Sequence, residues 1–147
     1  MLRAWVTQSK DRGVTVDPAP WRTGITRELG GWCENASVRS SGNWRVLDWA
    51  AVVHALLLVR RGIGPLLEGA VALGIEGYGS IEMSVRSDRV SCARTEAPAV
   101  LHADPLQAMR ILFGPLPPSQ VVQLPAGARV LEQWCPLPLA WSDQDGV

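Results

Sequence analysis

The sequence predicts an α+β fold, a twisted, mainly antiparallel sheet of four or five strands with helices packed on one face. Residues 80–86 and 90–95 alternate apolar and polar side chains on either side of Ser87-Asp88, which is typical of a β-hairpin. Two other stretches begin after an aspartate that can cap a helix and end at a glycine. A hairpin and capped helices in separate stretches favour the α+β class.

The N-terminal part, residues 1–42, is predicted to form a short helix followed by a hairpin. The hairpin arms would be residues 21–29 and 32–38, because the first alternates in polarity and Gly30-Gly31 can form the turn. We interpret this part as a remnant or docking segment of a preceding domain. Residues 43–147 would then form the main domain.

A helix is predicted over residues 49–61. The Asp48 carboxylate can accept hydrogen bonds from first-turn N–H groups, and Arg60 and Arg61 oppose the negative end of the helix dipole. A second helix over residues 65–73 is predicted because proline stands at its start. Glycines at 74, 77 and 79 then indicate a loop before the hairpin.

The C-terminal third is predicted to begin with a third strand, residues 99–103, that joins the hairpin. Asp104 would cap the following helix, which has Pro105 at its first position and ends at Gly114. Two helical turns, over residues 119–124 and 128–134, and an extended tail would complete the chain.

The composition excludes several classes of protein. Of 147 residues, 47% are hydrophobic and 19% charged, which is typical of globular domains, and the formal net charge of +0 argues against a nucleic-acid binder. The longest apolar run, residues 50–59, contains His54 and is too short to span a membrane. Three cysteines without a C-x-x-C pair favour buried thiols, no metal site and a cytoplasmic location.

Several segments resemble a known domain. They are R-V-L-D-W at 45–49, V-L-H-A-D at 100–104, L-F-G-P-L-P-P-S at 112–119 and the ending P-L-P-L-A-W-S-D-Q-D-G-V. Together they are similar to the sterol-carrier-like domain at the C-terminus of multidomain GNAT N-acetyltransferases of the enhanced intracellular survival type. The resemblance covers residues 43–147 and implies a sterol-carrier-like fold.

The resemblance also implies a function, that of an accessory domain that shapes the acceptor site of an N-acetyltransferase and is not catalytic alone. Acetyl-CoA would bind a separate GNAT catalytic domain, in the same or another chain, and this chain would hold no cofactor. Two alternatives stay open: a stand-alone sterol-carrier-like module for a lipid or other apolar ligand, and a small complete GNAT enzyme. A homo-oligomer is a further alternative for the partner.

The C-terminal carboxylate of Val147 is the catalytic candidate that the resemblance implies. In the relatives this group acts as a general base, and a desolvated carboxylate can take the proton from an attacking amine. The alternative is a frayed tail, as most chains have.

The seven tryptophans are unusual beside one tyrosine and one phenylalanine. In the sterol-carrier interpretation, six large side chains would line a ligand cavity: Trp44, Trp49, Met109, Phe113, Trp134 and Trp141. The alternative, which we favour, is that the tryptophans build the core and an interface, since each buries a large area.

Residues 60–67, R-R-G-I-G-P-L-L, are a candidate for the pyrophosphate turn of GNAT enzymes, which has the pattern [R/Q]-x-x-G-x-[G/A]. The glycines of this segment do not have the spacing that the motif requires, and Pro65 lacks an N–H donor. A helix–turn–helix is therefore the preferred interpretation. Of the two histidines, His54 is expected to be half-buried with a satisfied hydrogen bond. His102 lies two residues from Asp104, so the two could form a His–Asp pair, but no nucleophile motif accompanies them.

Overall fold

The computed structural model describes residues 16, 18, 23–35, 45–87 and 89–139. The predicted N-terminal helix and three of the candidate site residues, Trp44, Trp141 and Val147, lie outside these residues. In chain order the elements are α1 (Thr23–Gly30), α2 (Trp49–Ile63), β1 (Gly69–Ile75), β2 (Gly79–Arg86), β3 (Arg89–Thr95), β4 (Leu101–Ala103), α3 (Pro105–Phe113), α4 (Pro118–Val121), a 3-10 turn (Ala126–Ala128) and α5 (Leu131–Trp134).

The predicted α+β class is confirmed, with helices and an open four-stranded sheet in the order β3-β2-β1-β4. Strands β1, β2 and β3 are antiparallel neighbours, and the predicted hairpin pairs Ser84 with Ser91 and Arg86 with Arg89. The third predicted strand, β4, does not extend the hairpin. It pairs in parallel with the other side of β1, with Leu73 opposite Leu101.

The helix predicted over residues 65–73 is wrong, since most of this stretch belongs to β1. Residues Val71–Ile75 are all buried, because Val71, Leu73 and Ile75 face the core and Ala99 and His102 lie over Gly74 on the other face. An apolar run buried on both faces lacks the alternation that distinguishes a strand from a helix. Proline at position 65 lies in the connection between α2 and β1 and does not start a helix.

The hairpin predicted over residues 21–38 is also wrong in its described part. Thr23–Gly30 form α1, and residues 31–35 contain no strand. The second arm extends beyond the described residues. The polarity of residues 21–29 alternates for only a few positions, and such a short pattern does not separate a strand from an exposed helix.

Helix α2 begins as the sequence predicts. The Asp48 carboxylate accepts a hydrogen bond from the Ala51 N–H at 3.1 Å and another from the Tyr78 hydroxyl at 2.8 Å. The guanidinium of Arg94 lies 4.1 Å from the centre of the Tyr78 ring. These contacts join the start of α2 to the β1–β2 turn and to β3, and the helix ends at Ile63, two residues later than predicted.

The core lies between one face of the sheet and the helices. Its sheet side is formed by alternate residues that share one face, among them Leu73, Ile81, Met83 and Val85. The helices contribute Val53, Leu57, Ile111, Leu112, Leu131 and Trp134.

The predicted C-terminal helix is confirmed as α3. Asp104 caps it by accepting a 2.8 Å hydrogen bond from the Gln107 N–H, Pro105 is its first residue and Gly114 follows its end. The two predicted helical turns correspond to α4 and to the 3-10 turn with α5. The chain then returns to the core, where the Leu137 N–H donates to the Leu112 carbonyl.

The connection between β3 and β4, residues 96–100, joins opposite edges of the sheet. Ala99 lies against Gly74 of β1, where an added Cβ atom would come within 3.2 Å of the Ala99 Cβ. The Val100 N–H donates to the Ala72 carbonyl at 2.9 Å. Short side chains on β1 therefore leave room for the chain to cross the sheet.

Candidate functional site

The predicted ligand-lining residues that the structure describes belong to the core. Trp49 is stacked on Phe113, with ring centroids 6.2 Å apart, and Met109 packs half-buried against the same core. Trp134 is fully buried, and its indole N–H donates to the Leu67 carbonyl at 3.0 Å. Neither of the two clefts described below is lined by any of these four side chains. The preferred interpretation of the tryptophans, as core residues, fits Trp49 and Trp134.

Trp32 differs from the buried tryptophans, because it is 52% exposed. It follows α1, in the part of the chain interpreted as a docking segment. An exposed tryptophan in that part is what a docking surface would present.

Residues 60–67, the candidate pyrophosphate turn, connect the end of a helix to the start of a strand. Helix α2 ends at Ile63, and β1 begins at Gly69. A pyrophosphate turn requires the opposite order, a strand followed by the N-terminus of a helix, whose N–H groups face the anion. The side chain of Arg60 donates to the Gln133 carbonyl at 3.5 Å.

His54 has the environment that the sequence predicts. Its side chain is half-buried, and its Nδ1 atom accepts a 3.2 Å hydrogen bond from the Cys92 backbone N–H. Strand β3 is an edge strand, so this bond satisfies a donor that a further strand would otherwise occupy. The role of His54 is therefore to attach α2 to β3.

His102 lies in an open cleft of about 540 Å³, where the carboxyl ends of the parallel strands β1 and β4 meet. Glu76, Ser80 and Gln107 also line this cleft. The imidazole of His102 lies over Gly74, where a Cβ atom would be 2.5 Å from Nδ1. The carboxyl ends of parallel strands are a frequent place for ligands in α/β sheets.

The predicted His102–Asp104 pair is not formed. Asp104 also lines the cleft, but its carboxylate caps α3, and among the described residues His102 has no hydrogen bond to it. Nor do the described residues contain three His, Cys, Asp or Glu side chains placed to hold a metal ion. The cleft offers polar groups for binding a small ligand, without an oriented base.

The three cysteines are all free, as expected, but they differ in burial. Cys135 is buried and burial raises its pKa, while partial burial, with a smaller effect of the Asp48 charge, raises the pKa of the Cys92 thiol to about 12. The expectation of buried thiols is wrong for Cys33, which is exposed.

The outer face of α2 is an exposed apolar surface that the sequence analysis did not single out. Its members are apolar residues that share one side of the helix: Ala51, Ala55, Leu58, Val59, Gly62 and Ile63. Leu58 is 49% exposed, Val59 51% and Ile63 48%, although the opposite side of the helix is buried in the core. Residues 49–59 are apolar on most sides of the helix, a pattern that usually indicates a helix buried on all sides. In the structure only one side of α2 is buried.

No protein-family model, no curated protein and no solved structure matches this chain. Among the described residues, no helix is both long and apolar enough to cross a membrane.

Proposed function

We propose that this chain is a non-catalytic accessory domain of a GNAT-type N-acetyltransferase, and that the outer face of α2 docks against the catalytic domain. In this role it shapes the acceptor site, works in the cytoplasm, and leaves acetyl-CoA to its partner. The family assignment rests on the sequence resemblance, and the docking role rests on the exposed apolar helix face.

The outer face of α2 is the observation that carries the docking role. Burying the exposed half of Leu58, Val59 and Ile63 would contribute roughly 2–4 kcal/mol to association. The small residues Ala51, Ala55 and Gly62 on the same face allow another backbone to approach closely. The charged residues of α2, Arg60 and Arg61, lie outside this face. An exposed apolar surface surrounded by polar residues is typical of a protein interface.

Two observations favour this function over the alternatives. The side chains that would line a lipid cavity, Trp49, Phe113 and Trp134, are packed together with the core, which supports the accessory role over a lipid carrier. Residues 60–67 run from a helix into a strand, which supports it over a complete GNAT enzyme.

The docking surface is tested by placing a photo-crosslinking amino acid at position 59 and identifying the crosslinked protein from the native host by mass spectrometry. We expect a polypeptide that contains a GNAT domain, and we expect Val59→Asp to abolish its recovery. Leu106→Asp is the matched control, since Leu106 is 62% exposed on a different helix. Crosslinks only between copies of this chain would replace the proposal with a homo-oligomer.

The proposal that acetyl-CoA binds the partner and not this chain is tested by titrating acetyl-CoA into the purified chain by calorimetry. We expect no binding to the chain alone and saturable binding when its partner is present. Saturable binding by the isolated chain would overturn the proposal in favour of a small complete enzyme.

A further inference from the structure

A second open cleft, of about 510 Å³, lies beside the β2–β3 hairpin and brings three arginines together. Arg86 and Arg89 face each other across the two strands, and Arg61 reaches the cleft from the last part of α2. Ser84 and Ser91 form the next cross-strand pair on the same face of the sheet, and they also line the cleft. The sequence separates these arginines by up to 28 positions, so only the fold places them at one cleft.

The arrangement is unfavourable without an anion. Two like charges directly opposite each other on neighbouring strands destabilise a sheet. Among the described residues, no carboxylate forms an ion pair with Arg61, Arg86 or Arg89. Glu68 is engaged at the same hairpin, where its carboxylate accepts a 2.7 Å hydrogen bond from the Ser87 N–H. Three guanidinium groups therefore meet at one cleft without an ion pair among the described residues, while the Glu68 carboxylate keeps its charge beside the hairpin.

The two serines add hydrogen-bond donors suited to an oxyanion. The Ser84 and Ser91 hydroxyl oxygens are 2.8 Å apart, so one hydroxyl proton lies between them. The proton of the other hydroxyl stays available to a ligand, because each hydroxyl has one donor. Guanidinium groups donate two parallel hydrogen bonds to phosphate oxygens, which a point charge cannot do.

We propose that this cleft binds a phosphate group, with Arg61, Arg86 and Arg89 as the charged ligands and the serine pair as a hydroxyl donor. Its volume of about 510 Å³ is sufficient for a small phosphorylated molecule. The phosphate belongs either to a free phosphorylated small molecule or to a lipid headgroup, since both present the same oxyanion. A nucleic-acid backbone fits less well, because such binders need many phosphate contacts, and the chain has a formal net charge of +0.

The site is tested by titrating inorganic phosphate and pyrophosphate into the full chain by calorimetry at about 0.15 M ionic strength, where exposed charges are screened. We expect saturable binding of pyrophosphate with one site per chain. Arg86→Gln and Arg89→Gln should each weaken it about tenfold or more, since each removes charge-assisted hydrogen bonds. Arg129→Gln is the matched control, because Arg129 is exposed and lies outside the cleft, and it should leave binding unchanged.

A vesicle sedimentation assay distinguishes the two sources of the phosphate. Binding to phosphatidylglycerol vesicles but not to phosphatidylcholine vesicles, competed by pyrophosphate, would identify a lipid headgroup. Pyrophosphate binding without a preference between these vesicles would identify a free phosphorylated ligand. The proposal is overturned if neither probe binds saturably, or if Arg129→Gln weakens binding as much as Arg89→Gln.

Thermal unfolding separates a binding role from a structural one. Without an anion, Arg89→Gln should unfold at the same temperature as the wild type or higher, because it relieves the repulsion with Arg86. Pyrophosphate should raise the unfolding temperature of the wild type and not that of a variant that carries both Arg86→Gln and Arg89→Gln. A lower unfolding temperature for Arg89→Gln without an anion would indicate a structural role. Leu58 of the outer face of α2 also lines this cleft, but position 59 does not. The docking test is therefore made at a residue outside the cleft, and the two tests can fail separately.

Discussion

Replacing Gly114 by alanine is expected to lower the free energy of unfolding by about 2–6 kcal/mol, as the sum of two effects. Gly114 has φ 80° and ψ −157°, a conformation that costs other residues about 1–3 kcal/mol. An added Cβ atom would also lie 2.8 Å from Cβ and 2.9 Å from Cγ of Pro136, in a segment held against α3. Forcing a methyl group into such a contact costs roughly 1–3 kcal/mol more.

Two other glycines separate these effects. Gly77 has φ 75° with no atom within 4 Å of an added Cβ, so Gly77→Ala should cost only the backbone strain, about 1–2 kcal/mol. Gly62 lies within α2 and also has open space, so Gly62→Ala should stabilise the protein by about 0.5–1 kcal/mol.

The measurement is urea unfolding followed by tryptophan fluorescence, since Trp49 and Trp134 are buried and report on loss of the core. The expected order of stability is Gly62→Ala, wild type, Gly77→Ala and then Gly114→Ala. A loss for Gly114→Ala no larger than for Gly77→Ala would refute the contact with Pro136 as a cause. Stabilisation by Gly114→Ala would refute the backbone argument as well.

Three further predictions concern single side chains. His54→Ala should lower the free energy of unfolding by about 1–3 kcal/mol, because it leaves the Cys92 N–H without an acceptor. His54→Asn keeps an acceptor near the Nδ1 position and should recover much of this loss, as measured by urea unfolding. Equal losses for the two variants would refute the role of the hydrogen bond. In the native state Cys33 should react with a thiol reagent at pH 8 well before the other two cysteines. The rise of the Cys92 pKa from 9.0 to about 12 lowers its thiolate fraction about a thousandfold, and Cys135 is buried. Rapid labelling of Cys135 in the native state would contradict this prediction. The pKa of Asp48 is lowered, first by the hydrogen bond from the Ala51 N–H, so its charge stabilises the fold above its ordinary pKa of 3.8 and this stabilisation is lost as pH falls through the lower folded value. The difference in unfolding temperature between the wild type and Asp48→Asn should therefore be constant from about pH 5 to 7 and shrink below about pH 4, and a difference that grows on acidification would be inconsistent with it.

The elements with strong local signals were predictable from the sequence. Asp48 and Asp104 cap their helices through their own side chains, and the 80–95 hairpin alternates because one of its faces is in the core. His54 could be placed correctly, because a histidine within an apolar helix needs a buried or half-buried partner.

The central strand and the sites could not be predicted in the same way. β1 is buried on both faces, so its sequence G-A-V-A-L-G-I has no alternation, and its parallel partner β4 has only three residues. The exposed face of α2 becomes visible only when the other face is known to fill the core. The arginine cleft depends on the register that places Arg86 opposite Arg89 and on the position of Arg61 beside them.

The connection between β3 and β4 has a minimum length that the sheet imposes. The two strands are three interstrand spacings apart, about 14 Å. Six Cα steps from Thr95 to Leu101 can reach roughly 20–22 Å. A natural or engineered variant that lacks two of the five connecting residues would reach only about 13–14 Å, and β4 would have to leave its place beside β1. Insertions are tolerated here far better than deletions, so shortening of this connection would be selected against wherever the four-stranded sheet is kept.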